Sequence, residues 1–199
     1  ARLLSQAGAR VTILDRDIER ATALAEEING LAISCDVTDG NNVQAAINQA
    51  QAAHGIARIC INCAGIIHSK RMVGKQGPLP LEEFQQVIQI NLVGTFNLMR
   101  LAAAAMMQAE PLGQSGERGI IINTASVAAF EGQIGQTAYS ASKSGVVGMT
   151  LPAARELAQW GIRVMTIAPG LVDTPMFDKI PAEARQSLAN SVPFPKRLA

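Results

Sequence analysis

The chain has 199 residues, 48% of them apolar and 17% charged, with a formal net charge of +1. This is enough apolar chain for one sizeable core, and the balance excludes a disordered segment and a strongly basic nucleic-acid surface. No apolar run reads as a membrane span, and Ala1-Arg2-Leu3-Leu4-Ser5 lacks the pattern of a signal peptide, so neither nucleic acid nor membrane is expected as a partner.

Apolar strands alternate with longer helical stretches along the chain, the pattern of a parallel sheet with helices on both faces. Ala1 to Ala7 reads as a helix stopped by Gly8, and Arg10 to Leu14 as a strand ended by Asp15. An alanine-rich helix from Ile18 to Ile28 stops at Asn29-Gly30, and Leu31 to Cys35 is the next strand. Asp39 or Asn41 caps a helix running to about Ala53. Ile59 to Asn62 is a third strand, followed by Cys63-Ala64-Gly65.

Residues 68–80 lack periodicity and read as a surface loop. A long helical region covers Leu81 to Met107 with Asn91 in its middle, and residues 109–118 form another loop. Gly119 to Thr124 is a buried strand, Ala138 to Gln159 a helix and Ile162 to Ile167 a strand. The tail from Pro169 holds five of the nine prolines and reads as an irregular, lid-like segment. The expected fold is α/β, a Rossmann-type doubly wound parallel sheet in a single domain, residues 1–199. It apparently lacks its first strand with a glycine-rich turn and its last strand.

Three cysteines, Cys35, Cys60 and Cys63, are an odd number and too few to staple a domain of this size. They point to a reducing compartment, the cytoplasm first and the mitochondrial matrix as the alternative. Cys60-Ile-Asn-Cys63 has no second ligand pair, so packing is the expected role and no metal site is expected. His54 and His68 likewise stand alone and read as surface residues.

Chemistry concentrates in Tyr139-Ser-Ala-Ser-Lys143, which holds the chain's only tyrosine. On a helix, i and i+4 share a face, so an ammonium beside the phenol favours the phenolate and makes Tyr139 a candidate general acid/base. By itself such a pair is better explained by a solvated helix face. Ser126 lies just beyond the carboxyl end of a strand, where open parallel sheets bind ligands, and can hydrogen-bond a substrate oxygen. The Asn62-Cys63-Ala64-Gly65 turn occupies the same kind of position, with small residues that let backbone approach a ligand. Asn91, an amide among apolar helix neighbours, is expensive without partners. Asp15 follows a strand of a nucleotide-binding βαβ unit, where a carboxylate hydrogen-bonds ribose hydroxyls and repels a 2′-phosphate, favouring NAD over NADP despite Arg16 beside it. Asp36 suits an adenine contact, with helix capping as the plain alternative. Ser69-Lys70-Arg71 and Lys75 make a locally basic loop, solvated or facing the phosphates of a coenzyme A ester.

Taken in order, Asp15, Asp36, Asn62-Cys63-Ala64-Gly65, Asn91 in Asn-Leu-Val-Gly, Ser126, Tyr139/Lys143 and Pro169-Gly170 resemble the short-chain dehydrogenase/reductase family over the whole chain. The resemblance implies catalytic roles for Asn91, Ser126, Tyr139 and Lys143. Tyr139 is then the acid/base, Lys143 its partner and a ligand of the nicotinamide ribose, Ser126 the orienter of the substrate oxygen and Asn91 the holder of a relay water. It also implies cofactor contacts from Asp15, Asp36, Val37, Asn62, Cys63, Ala64, Gly65, Tyr139, Lys143, Pro169, Gly170, Val172 and Thr174, and substrate contacts from Ser126, Gln133 and Tyr139. The runs Gly119–Gly132, Gly148–Pro152 and Val192–Pro195 are similar to the type 2 3-hydroxyacyl-CoA dehydrogenase subgroup. That implies NAD-dependent, reversible oxidation of a 3-hydroxyacyl-CoA to the 3-oxoacyl-CoA in a homotetramer built on the two long helices. The alternatives are a 3-oxoacyl carrier-protein reductase, a general alcohol or hydroxysteroid dehydrogenase, and a non-catalytic binding subunit that keeps the fold. The subgroup's glycine-rich pyrophosphate turn is not among these residues.

Overall fold

In the computed structural model, which describes residues 1–173 and 182–199, strand follows helix almost throughout. The order is α1 (Arg2–Gln6), β1 (Thr12–Asp15), α2 (Ile18–Glu27), β2 (Leu31–Ser34), α3 (Gly40–His54) and β3 (Ile59–Asn62). A short hairpin of β4 (Val73–Gly74) and β5 (Gly77–Pro78) leads into α4 (Leu81–Ile88), a π-helical turn (Gln89–Gly94) and α5 (Thr95–Met107). Then come β6 (Gly119–Thr124), a 3₁₀ turn (Val127–Ala129), α6 (Thr137–Ala158), β7 (Ile162–Ile167) and α7 (Ala182–Ser191).

Local chemistry accounts for the helix ends. Asp17 caps α2 by accepting from the Arg20 N–H at 3.1 Å, and Asn29 takes a left-handed φ of 50° just past its end. Of the two candidate caps for α3, Asp39 serves, accepting from the Asn41 and Asn42 N–H groups at 2.8 and 3.1 Å.

The expected parallel sheet, without its first strand, is present in two pieces. β1 pairs with β2, while β3, β6 and β7 form a second sheet with β6 in the centre, and β1 and β3 share no hydrogen bonds. What joins the two is α5. Its Met99, Ala103 and Met106 pack with Ile121, Ile162 and Val164 of the larger sheet, while Leu98 and Leu101 pack against Ile33, Cys35, Val43 and Ala46 beside the smaller one. The helices do not cover both faces of the larger sheet evenly. Burial alternates along β3 and β7, leaving Ile59, Ile61, Met165 and Ile167 exposed on the face away from this core.

Three further readings change. The loop at 68–80 contains the β4–β5 hairpin, with Leu79 N–H donating to Met72 O at 2.9 Å. The tail carries the helix α7 where irregular chain was expected. Leu81–Met107 is also long and apolar enough by composition to cross a bilayer, although 44% of its most apolar window is buried against the rest of the domain. Met99, Ala103 and Met106 of α5 face the larger sheet, while Leu81, Val93 and Phe96 are exposed.

Ile121 lies fully buried at the centre of the larger core. Ile121→Ala should destabilise the protein by about 2–5 kcal/mol, seen as a lower urea midpoint with an unchanged slope.

Candidate active site

The carboxyl ends of the parallel strands place most of the singled-out residues. Asp15 ends β1, Asn62 ends β3, Thr124 ends β6 with Ser126 two residues beyond, and Pro169 follows β7. Register keeps these ends level: Asn62 pairs with Asn123, and Asn123 with Thr166. The loops are stitched across as well. The Ala125 N–H donates to Ile167 O at 2.8 Å, and the Val127 N–H to Pro169 O at 3.0 Å.

Helix α6 delivers the tyrosine and lysine. Ala138, Ser142 and Val146 form its buried i, i+4, i+8 stripe, and Lys143 is buried alongside, only 5% exposed. The Lys143 Nζ donates to Thr124 O at 2.7 Å and lies 5.7 Å from the Tyr139 ring centroid. Burial lowers the lysine's proton affinity, and the nearby Cys63 sulfur opposes that shift. One of the three ammonium N–H groups is thus used by the protein, leaving two. Ser126 Oγ accepts from the Ala128 N–H at 3.2 Å, so its own O–H remains free to donate.

Asn91 finds the partners that its burial demands. Its Oδ1 accepts from the Ile66 N–H at 2.8 Å, and its Nδ2 donates to Ile66 O at 2.9 Å and to Ser142 Oγ at 3.0 Å. Ser142 Oγ in turn donates to Tyr139 O at 2.7 Å. The amide N–H groups are therefore both committed. A relay water would use the Asn91 backbone carbonyl, which already accepts from Thr95 Oγ1 at 2.7 Å and keeps a second lone pair.

The cofactor candidates separate by what they leave available. Asn62 turns its amide inward, donating to Asn123 Oδ1 at 2.8 Å, so the turn after β3 offers backbone. Gly65 forms a cradle there: a Cβ on it would stand 3.3 Å from Asn91 Oδ1 and 3.6 Å from Lys143 Nζ. Such a floor beside a buried ammonium with free donors fits a nicotinamide ribose. Cys63 and Ala64 are exposed, and Cys63 Sγ lies 3.8 Å from Thr124 Oγ1. At the other end, Asp15 is exposed and Asp36 Oδ1 accepts from the Thr38 Oγ1 and N–H at 2.7 and 2.9 Å. Those bonds, with a smaller contribution from Arg16, hold the Asp36 carboxyl below the usual carboxylate range. Arg16 Nε lies 3.7 Å from Asp36 Oδ2. Val37 and Val172 are half-buried, and Gly170 and Gln133 are exposed. Thr174 lies outside the described residues.

Packing explains Cys60, which lies against the larger core with its thiol pushed up to about 12, mainly by burial. All three cysteines are free, and no cluster of metal-binding side chains occurs among the described residues. His54 Nδ1 meets Thr12 Oγ1 at 3.2 Å, whereas His68 Nδ1 is buried without a partner, unlike the surface residue expected. Lys70 pairs with Glu83 at 2.6 Å, leaving Arg71 and Lys75 as the exposed cations of the hairpin region.

Sequence reasoning missed Asn123, Ser142 and Asn97, all buried polar residues. The available signal was an amide or hydroxyl within an apolar run, the criterion that singled out Asn91.

The short chain dehydrogenase family matches residues 1–185. The chain is 51% identical over 204 residues to 3-hydroxyacyl-CoA dehydrogenase type-2 of Bos taurus, covering 99% of this chain and 76% of that protein. It is 34% identical over 197 residues to the 3-oxoacyl-(acyl-carrier-protein) reductase of Thermotoga maritima, covering 96% and 76%. A crystal structure of 3-hydroxyacyl-CoA dehydrogenase type-2 from Mycobacterium avium superposes with a TM-score of 0.92 at 42% identity, covering 100% of this chain and 78% of that one. This chain belongs to the short-chain dehydrogenase family. It is an oxidoreductase of CH–OH groups that works with a nicotinamide cofactor on a small-molecule substrate.

Replacing Asn91 by leucine keeps the number of side-chain heavy atoms and strips three hydrogen bonds from Ile66 and Ser142. Asn91→Leu should cost about 1–3 kcal/mol for each polar group left buried and unpaired, measured by urea unfolding.

Proposed function

We propose that this chain oxidises a 3-hydroxyacyl-CoA to the 3-oxoacyl-CoA, reversibly, with NAD. The observation that carries the chemistry is Tyr139 on the same helix face as a buried Lys143, whose Nζ is anchored to the end of β6 at 2.7 Å. The anchor holds the ammonium beside Tyr139, and Tyr139 takes the hydroxyl proton as the carbinol carbon is oxidised. Ser126, with its O–H free, donates to the substrate oxygen and stabilises the charge that develops there. Lys143, with two donors left, and the Gly65 backbone would hold the nicotinamide ribose. Bound NAD supplies the hydride acceptor. Asn91 acts by position, fixing the turn after β3 against α6. Gln133, on the exposed approach to α6, is assigned to the substrate.

The acyl-CoA substrate is supported by the type-2 relatives, at 51% identity against 34% for the carrier-protein reductase. Arg71 and Lys75 on the hairpin side are available to coenzyme A phosphates. A non-catalytic binding subunit is disfavoured because tyrosine, lysine and serine are all present at one end of the sheet. NAD is supported by Asp15, exposed at the end of β1, while Arg16 faces Asp36. Asp36 and Val37 are assigned to the adenine, the Asn62–Gly65 turn to the ribose and nicotinamide, and Pro169, Gly170, Val172 and Thr174 to the nicotinamide side. Exposed Val93, Phe96 and Leu151 on the long helices support a homotetramer. Free thiols suit a reducing compartment, the cytoplasm or the mitochondrial matrix.

Tyr139→Phe removes only the proton-transferring hydroxyl and should lower kcat by about 10² or more with little change in NAD affinity. Stopped-flow and steady-state assays on a 3-hydroxyacyl-CoA decide this, and turnover near the parent rate would overturn the mechanism. For the cofactor, kcat/KM should favour NAD over NADP. Asp15→Ala should shrink that preference by about tenfold or more, since like charges brought together cost several kcal/mol.

A further inference from the structure

Asn97 carries no motif and was not singled out by spacing, yet it is buried on the first turn of α5 with a fully assigned amide. Its Nδ2 donates to Val37 O at 2.8 Å, and its Oδ1 accepts from Arg100 Nε and Nη2 at 3.1 and 2.7 Å. A guanidinium only donates, so the amide oxygen must face Arg100 and the nitrogen must face Val37. Val37 also leans on Gly94, where a Cβ would stand 2.5 Å from Val37 Cγ2.

The rest of this loop is tied to itself. The Asp36 N–H donates to Asn42 Oδ1 at 2.6 Å, Asp36 Oδ1 takes both Thr38 donors, and the Asp39 N–H donates to Asp36 O at 3.1 Å. The Val37 N–H makes no hydrogen bond among the described residues. The loop therefore presents one free backbone donor after β2, and its residue is held by a side chain from a distant helix.

We propose that Asn97 is a positioning residue for the adenine half of the nicotinamide nucleotide. By gripping the Val37 carbonyl, and with Gly94 seating the Val37 side chain, it fixes the Val37 N–H as the donor to a purine ring nitrogen. Arg100 sets the direction of the grip. The proposal rests on the nicotinamide-nucleotide reading above.

Asn97→Asp keeps the shape and the Arg100 contact but turns a carboxylate oxygen towards the Val37 carbonyl. Calorimetric titration of ADP-ribose, which contains the adenosine half without nicotinamide, should show binding about five- to tenfold weaker than to the parent, the size of one lost hydrogen bond. Arg100→Ala, at an exposed position that should not threaten folding, should weaken ADP-ribose in the same direction by a smaller factor. In steady-state assays KM for NAD should rise while KM for the acyl substrate and kcat at saturating NAD hold. Unchanged ADP-ribose affinity in both variants, with a parent that binds it, overturns this proposal alone. A parent that does not bind ADP-ribose overturns the cofactor reading and this proposal with it. If Asn97→Asp raises both KM values together and lowers Tm, Asn97 is merely structural and the positioning role is overturned.

Discussion

A buried amide must be satisfied, and that constraint at Asn91 organises the site. Placed within a helix and out of reach of water, the side chain has to find one donor and two acceptors in the protein. It finds two of them on the Ile66 backbone beyond β3, and the third on Ser142 of α6. Three segments distant in sequence are thereby drawn together, and the Ser142 hydroxyl carries the link on to the Tyr139 carbonyl. The wider turn around Asn91 belongs to the same arrangement, with Thr95 Oγ1 bonded back to the Asn91 carbonyl. Substrate-side geometry thus depends on a residue whose side chain has no donor left for a ligand.

The same helix works at a larger scale. Among these residues the two-stranded and three-stranded sheets share no hydrogen bonds, and apolar packing across α5 links them. Such packing is non-directional and tolerates small shifts, whereas a ligand that spans both sheets needs fixed distances. The two asparagines supply the missing direction. Asn91 ties the helix to the loop after β3, and Asn97 ties it to the loop after β2. One continuous helical stretch therefore touches both the candidate adenine and the candidate nicotinamide ends.

What the sequence discloses divides by range. Strand and helix spans were legible because alternation and 3.6-residue spacing are local, and the limits of β3, β6 and β7 were read to the residue. Tyr139 and Lys143 were legible for the same reason, since i and i+4 share a face whatever the tertiary fold. Asn123, Ser142 and Asn97 were not, because their value lies in partners between 51 and 61 residues away. Asn62 shows the converse. It was chosen for its place after a strand, yet its side chain points inward, because strand alternation decides orientation before function does. The hairpin at 73–78 and the helix at 182–191 were hidden by proline and glycine, which suggest irregular chain but also serve at the ends of short elements.

Lys143 shows where stability and function diverge. Burial lowers its proton affinity below the ordinary lysine value of 10.5, so near that pH the folded chain holds fewer protons at this group than the unfolded chain does. By linkage, its effect on folding is unfavourable, fully present below the lowered value and fading as pH rises towards the ordinary one. At neutral pH the protein therefore carries a buried ammonium at a net disadvantage, with the Thr124 carbonyl offsetting only part of it. An apolar residue at this position would pack without that penalty. A charge kept under such conditions fits the proposed role of Lys143 beside Tyr139, four residues earlier. A water-exposed ammonium would be screened and mobile, whereas this one is held by the end of β6 at 2.7 Å, with the Tyr139 ring centroid 5.7 Å away.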